Sequence, residues 1–311
     1  MSKYLVTGGA GFIGSNLVEE LLKRGHKVRV IDNFITGKRE NIEPFLDKIE
    51  FLEEDIRDYE TCRRAVQGVD FVLHQAALPS VPRSIEDPIL ANDINVNGTL
   101  KLLLASNEAR VRRFVFASSS SVYGDNPELP KKGDAEGNPL SPYALTKLVG
   151  EKYSRVFSVV YKLPTVNLRY FNIFGPRQDP SSQYAAVIPS FISKMLEGKK
   201  PTIFGDGEQS RDFTFVANVV EANILAAEAE SISGEAINVG CGEKTTVNTL
   251  VAKINEILTT KIDPDYDQPR PGDIRHSFAD ITKAREKLKF EPLVSFREGL
   301  ERTIQWYKER K

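Results

Sequence analysis

The sequence predicts an α/β protein: a doubly wound parallel sheet with a smaller mixed α/β lobe in its C-terminal part. Three observations lead there. Short apolar runs alternate with helix-period stretches through residues 1–168, the βαβ rhythm of a parallel sheet. A glycine-rich loop joins the first run to the first helix, and an acidic residue closes the second run.

Lys3-Tyr4-Leu5-Val6-Thr7 reads as a buried strand. Gly8-Gly9-Ala10-Gly11-Phe12-Ile13-Gly14 follows, then a helix with Leu17, Val18, Leu21 and Leu22 on one side and Gly25 as its stop. The glycines fit G-x-G-x-x-G at Gly9, Gly11 and Gly14, and G-x-x-G-x-x-G at Gly8, Gly11 and Gly14. Such a loop lets the backbone approach a pyrophosphate, which the free N–H groups of the helix N-terminus then face. Residues 27–32 form the second strand, and Asp32 closes it 18 residues after Gly14. A carboxylate there accepts from both adenosine ribose hydroxyls and repels a 2′-phosphate, which argues for NAD over NADP. Asn33 to Lys38 shows no phosphate clamp beyond the cations Lys38 and Arg39 at its end.

The alternation continues with a strand at 49–52, then Glu54-Asp55-Ile56, a helix at 59–66 and a strand at 69–75 leading into Ala76-Ala77. A long amphipathic helix is predicted over 88–109 and contains Asn95. The strand at 113–117 runs into Ser118-Ser119-Ser120-Ser121-Val122-Tyr123-Gly124, which puts hydroxyls over the crevice at a strand's carboxyl end.

Ser141-Pro142-Tyr143-Ala144-Leu145-Thr146-Lys147 opens the next helix, with Ser141 as N-cap and Pro142 as the first helical residue. Tyr143 and Lys147 are four apart and share a face, about 5–6 Å between Cβ atoms. A phenol titrating near about 10 is a poor base at neutral pH. A neighbouring ammonium and a bound cationic cofactor favour the phenolate; lowering it by roughly three units takes about 4 kcal/mol.

Beyond residue 162 the pattern is mixed. A strand at 165–168 returns to the sheet, followed by the aromatic-rich stretch 169–176 and a helix at 187–196. Thr202-Ile203-Phe204-Gly205-Asp206-Gly207 and Ser210-Arg211-Asp212-Phe213 come next, then a helix at 216–229, a strand at 235–239 and a helix at 246–258. Residues 270–277 form a basic, turn-rich loop, and Ser295-Phe296-Arg297-Glu298 is a capping box opening the last helix. The expected division is a dinucleotide-binding domain, 1–168 with 213–239 returning to it, and a lobe of 169–212 and 240–311 covering the crevice.

A formal charge of −1 and the lack of a long basic run point away from nucleic acid. No apolar run approaches the roughly 20 residues of a membrane span. The chain goes straight into its first strand without a signal-like segment, and two cysteines make no disulfide framework, so a cytoplasmic, reducing location is expected. His26, His74 and His276 show no metal-ligand spacing, and no metal is expected.

Together, T-G-G-A-G-F-I-G-S at Thr7 to Ser15, the serine run before Val122-Tyr123-Gly124, and Tyr143-x-x-x-Lys147 resemble the extended short-chain dehydrogenase/reductases over essentially the whole chain. Within that superfamily the sequence is most similar to UDP-hexose 4-epimerases that accept N-acetylated sugars. The matching pieces are 168–176, Phe204-Gly205-Asp206-Gly207 with Arg211-Asp212, and Arg270-Pro271-Gly272-Asp273. The resemblance implies a Rossmann-type fold and bound NAD lined by Gly8, Gly11, Phe12, Ile13, Gly14, Asp32, Asn33, Thr36, Gly37, Asp55, Ile56, Asn95 and Phe171. Gln75, Ala76 and Ala77 would lie behind its phosphates and ribose. Ser119 would be the catalytic serine, Tyr143 the base, and Lys147 a further bond to the nicotinamide ribose. Ser120 and Ser121 would flank the sugar, with Asn172, Ala186, Val187, Thr202, Ile203, Phe204, Arg211, Arg270 and Asp273 on the nucleotide sugar.

Ser277 matches a position where epimerases restricted to plain hexoses carry a bulky aromatic, so a 2-acetamido group would fit. The resemblance thus implies interconversion of UDP-GlcNAc and UDP-GalNAc, and of UDP-Glc and UDP-Gal, through a 4-keto sugar. It also implies a homodimer formed through a four-helix bundle. Related 4,6-dehydratases use an Asp-Glu pair before the tyrosine, and related glucuronate decarboxylases place a Glu before Val-Tyr-Gly; this chain has Ser120-Ser121. A catalytically silent NAD-binding regulatory protein is the reading from another class, and intact Ser119, Tyr143 and Lys147 argue against it.

Overall fold

The apolar runs pair into a sheet buried from both sides, as parallel strands require. In the computed structural model, which describes residues 1–135, 137–180, 186–230, 232–269 and 274–310, the strands are β1 (Lys3–Thr7), β2 (Lys27–Ile31), β3 (Glu50–Leu52), β4 (Phe71–His74), β5 (Arg113–Ser119), β6 (Thr165–Tyr170), β7 (Ile173–Phe174), β8 (Thr202–Phe204), β9 (Ser210–Arg211), β10 (Thr214–Phe215), β11 (Glu235–Val239), β12 (Thr245–Thr246), β13 (Asp265–Asp267) and β14 (His276–Ser277). The helices are α1 (Phe12–Lys23), α2 (Tyr59–Val66), α3 (Val81–Glu86), α4 (Pro88–Asn92), α5 (Thr99–Glu108), α6 (Pro142–Val156), α7 (Val187–Leu196), α8 (Val216–Glu228), α9 (Val247–Leu258), α10 (Thr282–Leu288) and α11 (Phe296–Lys308).

Seven strands form one sheet in the order β11-β6-β5-β4-β1-β2-β3, with every neighbouring pair parallel. Alternation along β1 divides the core: Tyr4 and Val6 pack on the face with α1 and α8, Leu5 on the face with α2 and α5. The chain leaves β1 toward β2 and β3, then resumes on the other side at β4. That reversal opens a crevice at the carboxyl ends of β1 and β4, where ligands of such sheets bind. The smaller elements gather beyond β6: β8 pairs with β13, and β12, β9 and β14 form a three-stranded sheet.

The structure refines the sequence expectations in several places. The helix expected at 88–109 is α4 and α5 joined by a π-helical turn, Asp93–Gly98. Residues 81–86, not expected to be helical, form α3 because Ser80 caps it by accepting from the Arg83 N–H at 3.2 Å. Strands β5 and β6 each run two residues further than expected, through Ser119 and Tyr170. At the last helix Ser295 accepts from the Glu298 N–H, but the Glu298 carboxylate turns to Arg302 at 2.5 Å, so only the N-cap half of the capping box forms.

Candidate active site

The glycine loop makes the floor of the crevice. Gly8 has φ +66°, and a Cβ on it would lie 2.8 Å from the Ala76 nitrogen after β4. A Cβ on Gly14 would fall 2.1 Å from the Gly8 carbonyl oxygen, so α1 can approach the loop only without one. Gly11 is the N-cap of α1 and no side chain caps it, which leaves the first-turn N–H groups to an anion. The crevice walls are Gly8, Gly11, Phe12, Ile13, Gly14, Asp32, Asn33, Thr36, Asp55, Ile56, Gln75, Ala76, Ala77, Tyr143 and Lys147, all named from the sequence.

Asp32 is buried, and its carboxylate accepts from the Ala10 N–H at 2.9 Å and the Phe34 N–H at 2.8 Å. Burial raises its pKa, and the backbone donors oppose the rise. The two nearby cations are engaged: Lys38 pairs with Asp179 at 3.0 Å, and Arg39 with Glu53 at 2.5 Å. The cradle, the open helix N-terminus and the carboxylate at the end of β2 fit a dinucleotide whose adenosine ribose is unphosphorylated.

Three expected cofactor residues are not among those that line the crevice. The Asn95 side chain is buried between the Leu78 backbone (2.7 Å to its N–H) and Thr146 Oγ1 (3.0 Å), pinning the segment after β4 to α6; its neighbour Ile94 faces the crevice. The Phe171 ring is wholly buried beside Tyr123, whereas Tyr170 reaches the crevice. Gly37 packs on Asp32, whose Oδ1 would be 2.8 Å from a Cβ there.

At the inner end, Ser141 caps α6 by accepting from the Ala144 N–H at 3.2 Å. The Tyr143 N–H donates to Ser84 Oγ at 3.0 Å, so α3 helps fix the start of that helix. Alternation along β5 sends Ser118 to one side and Ser119 to the other. Ser119 Oγ accepts from Ser121 Oγ at 2.9 Å and acts on the Tyr143 phenol as a hydrogen-bond partner. Lys147 Nζ donates to the Ala117 carbonyl at 2.8 Å and lies 5.9 Å from the centre of the Tyr143 ring.

The electrostatics correct one expectation. Burial raises the Tyr143 pKa, and the Ser119 hydrogen bond only opposes this. Burial pushes Lys147 down to about 7, and Glu151 one turn later opposes that. The polypeptide alone therefore does not acidify the phenol, because desolvation outweighs a lysine that is bonded to a carbonyl and set apart from the phenol.

Of the described residues assigned to the nucleotide sugar, Tyr143 lines the crevice and the others do not. Arg211 and Ser277 stand directly opposite each other on β9 and β14. Thr202 and Phe204 flank Ile203 on β8; the two are partly exposed, while Ile203 is 1% exposed and points into the core as strand alternation demands. Asn172, at φ +39°, donates to the Asp212 carbonyl at 3.4 Å. Ala186 is exposed and caps α7, whose first residue is Val187; Ser120 and Ser121 form a 3₁₀ turn beside Ser119. Arg270 and Asp273 lie outside the described residues.

Sequence reading missed Ile31, Ile35, Asn41, Glu54, Pro79, Ile94, Ala117, Ser118, Tyr170, Arg177 and Asp179, all of which line the crevice. Ala117 and Ser118 could have been found by extending the serine strand. Arg177 and Asp179 come from across the fold and carry no local signal.

A parallel sheet of this order is a dinucleotide-binding fold, and a tyrosine and lysine lining its crevice, with a serine bonded to the tyrosine, put it in the short-chain dehydrogenase/reductase class. The model of the NAD dependent epimerase/dehydratase family matches residues 4–240. A UDP-glucose 4-epimerase of Mycolicibacterium smegmatis is 39% identical over 98% of this chain and 98% of its own. Among solved structures, a UDP-N-acetylglucosamine 4-epimerase from Methanobrevibacter ruminantium M1, in complex with UDP-N-acetylmuramic acid, is 43% identical with a TM-score of 0.95 over 100% of this chain and 99% of that one. A UDP-glucose 4-epimerase from Thermotoga maritima with UDP-glucose is 40% identical with a TM-score of 0.94 over 99% of each chain. The chain belongs to the NAD-dependent epimerase/dehydratase family, and its cofactor is NAD.

Proposed function

We propose that this protein is a UDP-sugar 4-epimerase that interconverts UDP-GlcNAc and UDP-GalNAc, and also UDP-Glc and UDP-Gal. The observation that carries the reading is that Tyr143 and Lys147 line the crevice while Ser119 bonds to the Tyr143 phenol. NAD, held in the crevice by the glycine loop and Asp32, would supply a reversible hydride acceptor for the sugar's C4. Tyr143 takes the proton of the C4 hydroxyl and later gives it back, and Ser119 holds that oxygen through the exchange. Lys147, bonded to the Ala117 carbonyl, is placed to bond the nicotinamide ribose as well. Arg211 offers a guanidinium suited to the diphosphate.

Breadth toward acetamido sugars rests on Ser277. Its small side chain lies opposite Arg211, so room beside it is room beside the diphosphate end of the substrate. Dehydration and decarboxylation are disfavoured by Ser120 and Ser121, which provide hydroxyls where those chemistries use carboxylates. We also assign the dimer contact to α4, α5, α6 and the π-helical turn Phe157–Tyr161 that continues α6, where Ile89 (81% exposed), Leu104, Leu145, Val156, Val159 and Val160 leave apolar surface uncovered. A reducing, cytoplasmic location accords with the free Cys62 and Cys241.

The test is NMR analysis of products after separate incubation with UDP-GlcNAc and UDP-Glc. Formation of UDP-GalNAc and UDP-Gal is expected. Conversion of UDP-Glc alone overturns the acetamido assignment, and a 4-keto-6-deoxy or pentose product overturns epimerisation.

A further inference from the structure

Helix α6 carries Tyr143, Lys147 and Glu151 at successive four-residue steps, so the three lie on one stripe facing β5. The last of them has no part in the chemistry proposed above, yet it is 5% exposed and ionisable. Arg169 of β6, 4% exposed, grips it through two parallel bonds, Nε to Oε1 at 2.9 Å and Nη2 to Oε2 at 2.8 Å. Ser118 Oγ donates to Oε1 at 2.5 Å. Arg169 is in turn fixed over the Tyr123 ring at 4.7 Å, with Nη1 on the Gly133 and Ala135 carbonyls.

A buried ion pair of this kind is a weak source of stability, since desolvation offsets its attraction. Its location is more telling. Ser118 precedes the serine that meets Tyr143, and Ala117, just before it, takes the Lys147 bond. Glu151 and Lys147 thus hold consecutive residues of β5, one through its side chain and one through its carbonyl. The groups facing Lys147 are Tyr143 and Glu151 on its own helix, His74 from β4, Ala117 and the Phe116 ring from β5 (5.0 Å), with Arg169 and Tyr170 on β6 behind. His74 lies between Thr7 Oγ1 and Thr99 Oγ1, and burial keeps it neutral. The carboxylate acting on the ammonium is that of Glu151.

We infer that Glu151, oriented by Arg169 and Ser118, is a positioning residue of the active site: its charge opposes the effect of burial on the Lys147 ammonium, and its bond to Ser118 sets the end of β5 so that Ser119 meets Tyr143. The inference rests on the epimerase reading for its kinetic test and stands apart from it for its spectroscopic one.

Two near-isosteric changes separate charge from shape. Glu151→Gln keeps the size and can still bond Ser118 but removes the charge; Glu151→Asp keeps the charge and shortens the reach. The alkaline limb of the kcat–pH profile should move down by about one unit in Glu151→Gln. In Glu151→Asp it should stay at the wild-type pH while kcat falls. Carbon-13 lysine NMR of the NAD-loaded protein, with Lys147 identified by its loss in Lys147→Met, should show the same downward shift for the ammonium in Glu151→Gln. An unmoved titration in Glu151→Gln, or a larger shift in Glu151→Asp, overturns the inference. If Glu151→Gln does not fold, the charge-free pair Glu151→Leu/Arg169→Met leaves no orphaned ion. A lowered Lys147 titration there supports the inference, and a wild-type one overturns it. If the wild-type protein epimerises no UDP-sugar, the functional reading fails while the NMR titration still decides the role of Glu151.

Discussion

Tyr143 shows how much of a reactive group's behaviour lies outside the residue itself. The sequence places it beside Lys147, yet its burial raises the phenol pKa and the lysine is bonded to a carbonyl. The remaining source of acidification is the positive charge of the oxidised cofactor. Tyrosinate absorbance should therefore appear at lower pH in the NAD⁺-loaded protein than in protein stripped of cofactor, by a component absent from Tyr143→Phe. Identical onsets would refute this. Tyr143→Phe itself should lower kcat by roughly 10²–10⁴-fold with an unchanged circular dichroism spectrum. Ser277→Tyr should remove turnover of UDP-GlcNAc while keeping that of UDP-Glc, and equal loss of both would count against the acetamido pocket. Residues with a motif were legible one by one. Asn95, Phe171 and Ile203 were not, because which way a side chain points depends on a π-helical turn, a loop and a strand's phase.

Elements were more legible than single residues, because a buried parallel strand and an amphipathic helix each impose a period on the chain. What the periods did not give was the distance between layers. Gly150 sets one such distance. A Cβ there would lie 2.4 Å from the Phe116 ring, so α6 lies against β5 only because position 150 is bare. The Lys147 ammonium, on the same helix, sits 5.0 Å from the same ring. Gly150→Ala should push α6 outward, destabilising the fold by about 1–3 kcal/mol as overpacking does. It should also lower kcat more than it raises KM, since the same helix carries Tyr143, the proposed base. Wild-type kcat in a folded Gly150→Ala protein would show that the helix position is not critical.

At the scale of the molecule, the question is what ties together the chain segments beyond the main sheet, and one buried carboxylate answers it. Asp212 follows Arg211, is wholly buried, and accepts from the N–H groups of Cys241 (2.8 Å), Gly242 (2.9 Å) and Ala279 (3.1 Å). Its own N–H donates to the Ser277 carbonyl at 3.0 Å. One side chain thus joins β9 to the segment after β11 and to the chain just past β14. Burial pushes its carboxyl up to about 6 against those donors. The folded pKa is above the unfolded value of about 4, so the folded state holds the proton more tightly. The stability this brings is present below about pH 4 and is lost as pH rises to about 6, on the order of 3 kcal/mol. His74 works in the opposite sense: burial lowers it to about 3, so its contribution is lost as pH falls below about 6.5. The two effects overlap and partly cancel in the wild-type curve. Asp212→Asn removes only the first, so the variant-minus-wild-type stability should rise toward the variant between about pH 4 and about pH 6 and then level off. Urea unfolding across that range measures it, and a difference that does not change with pH would show that the buried carboxylate is not the titrating link between these segments.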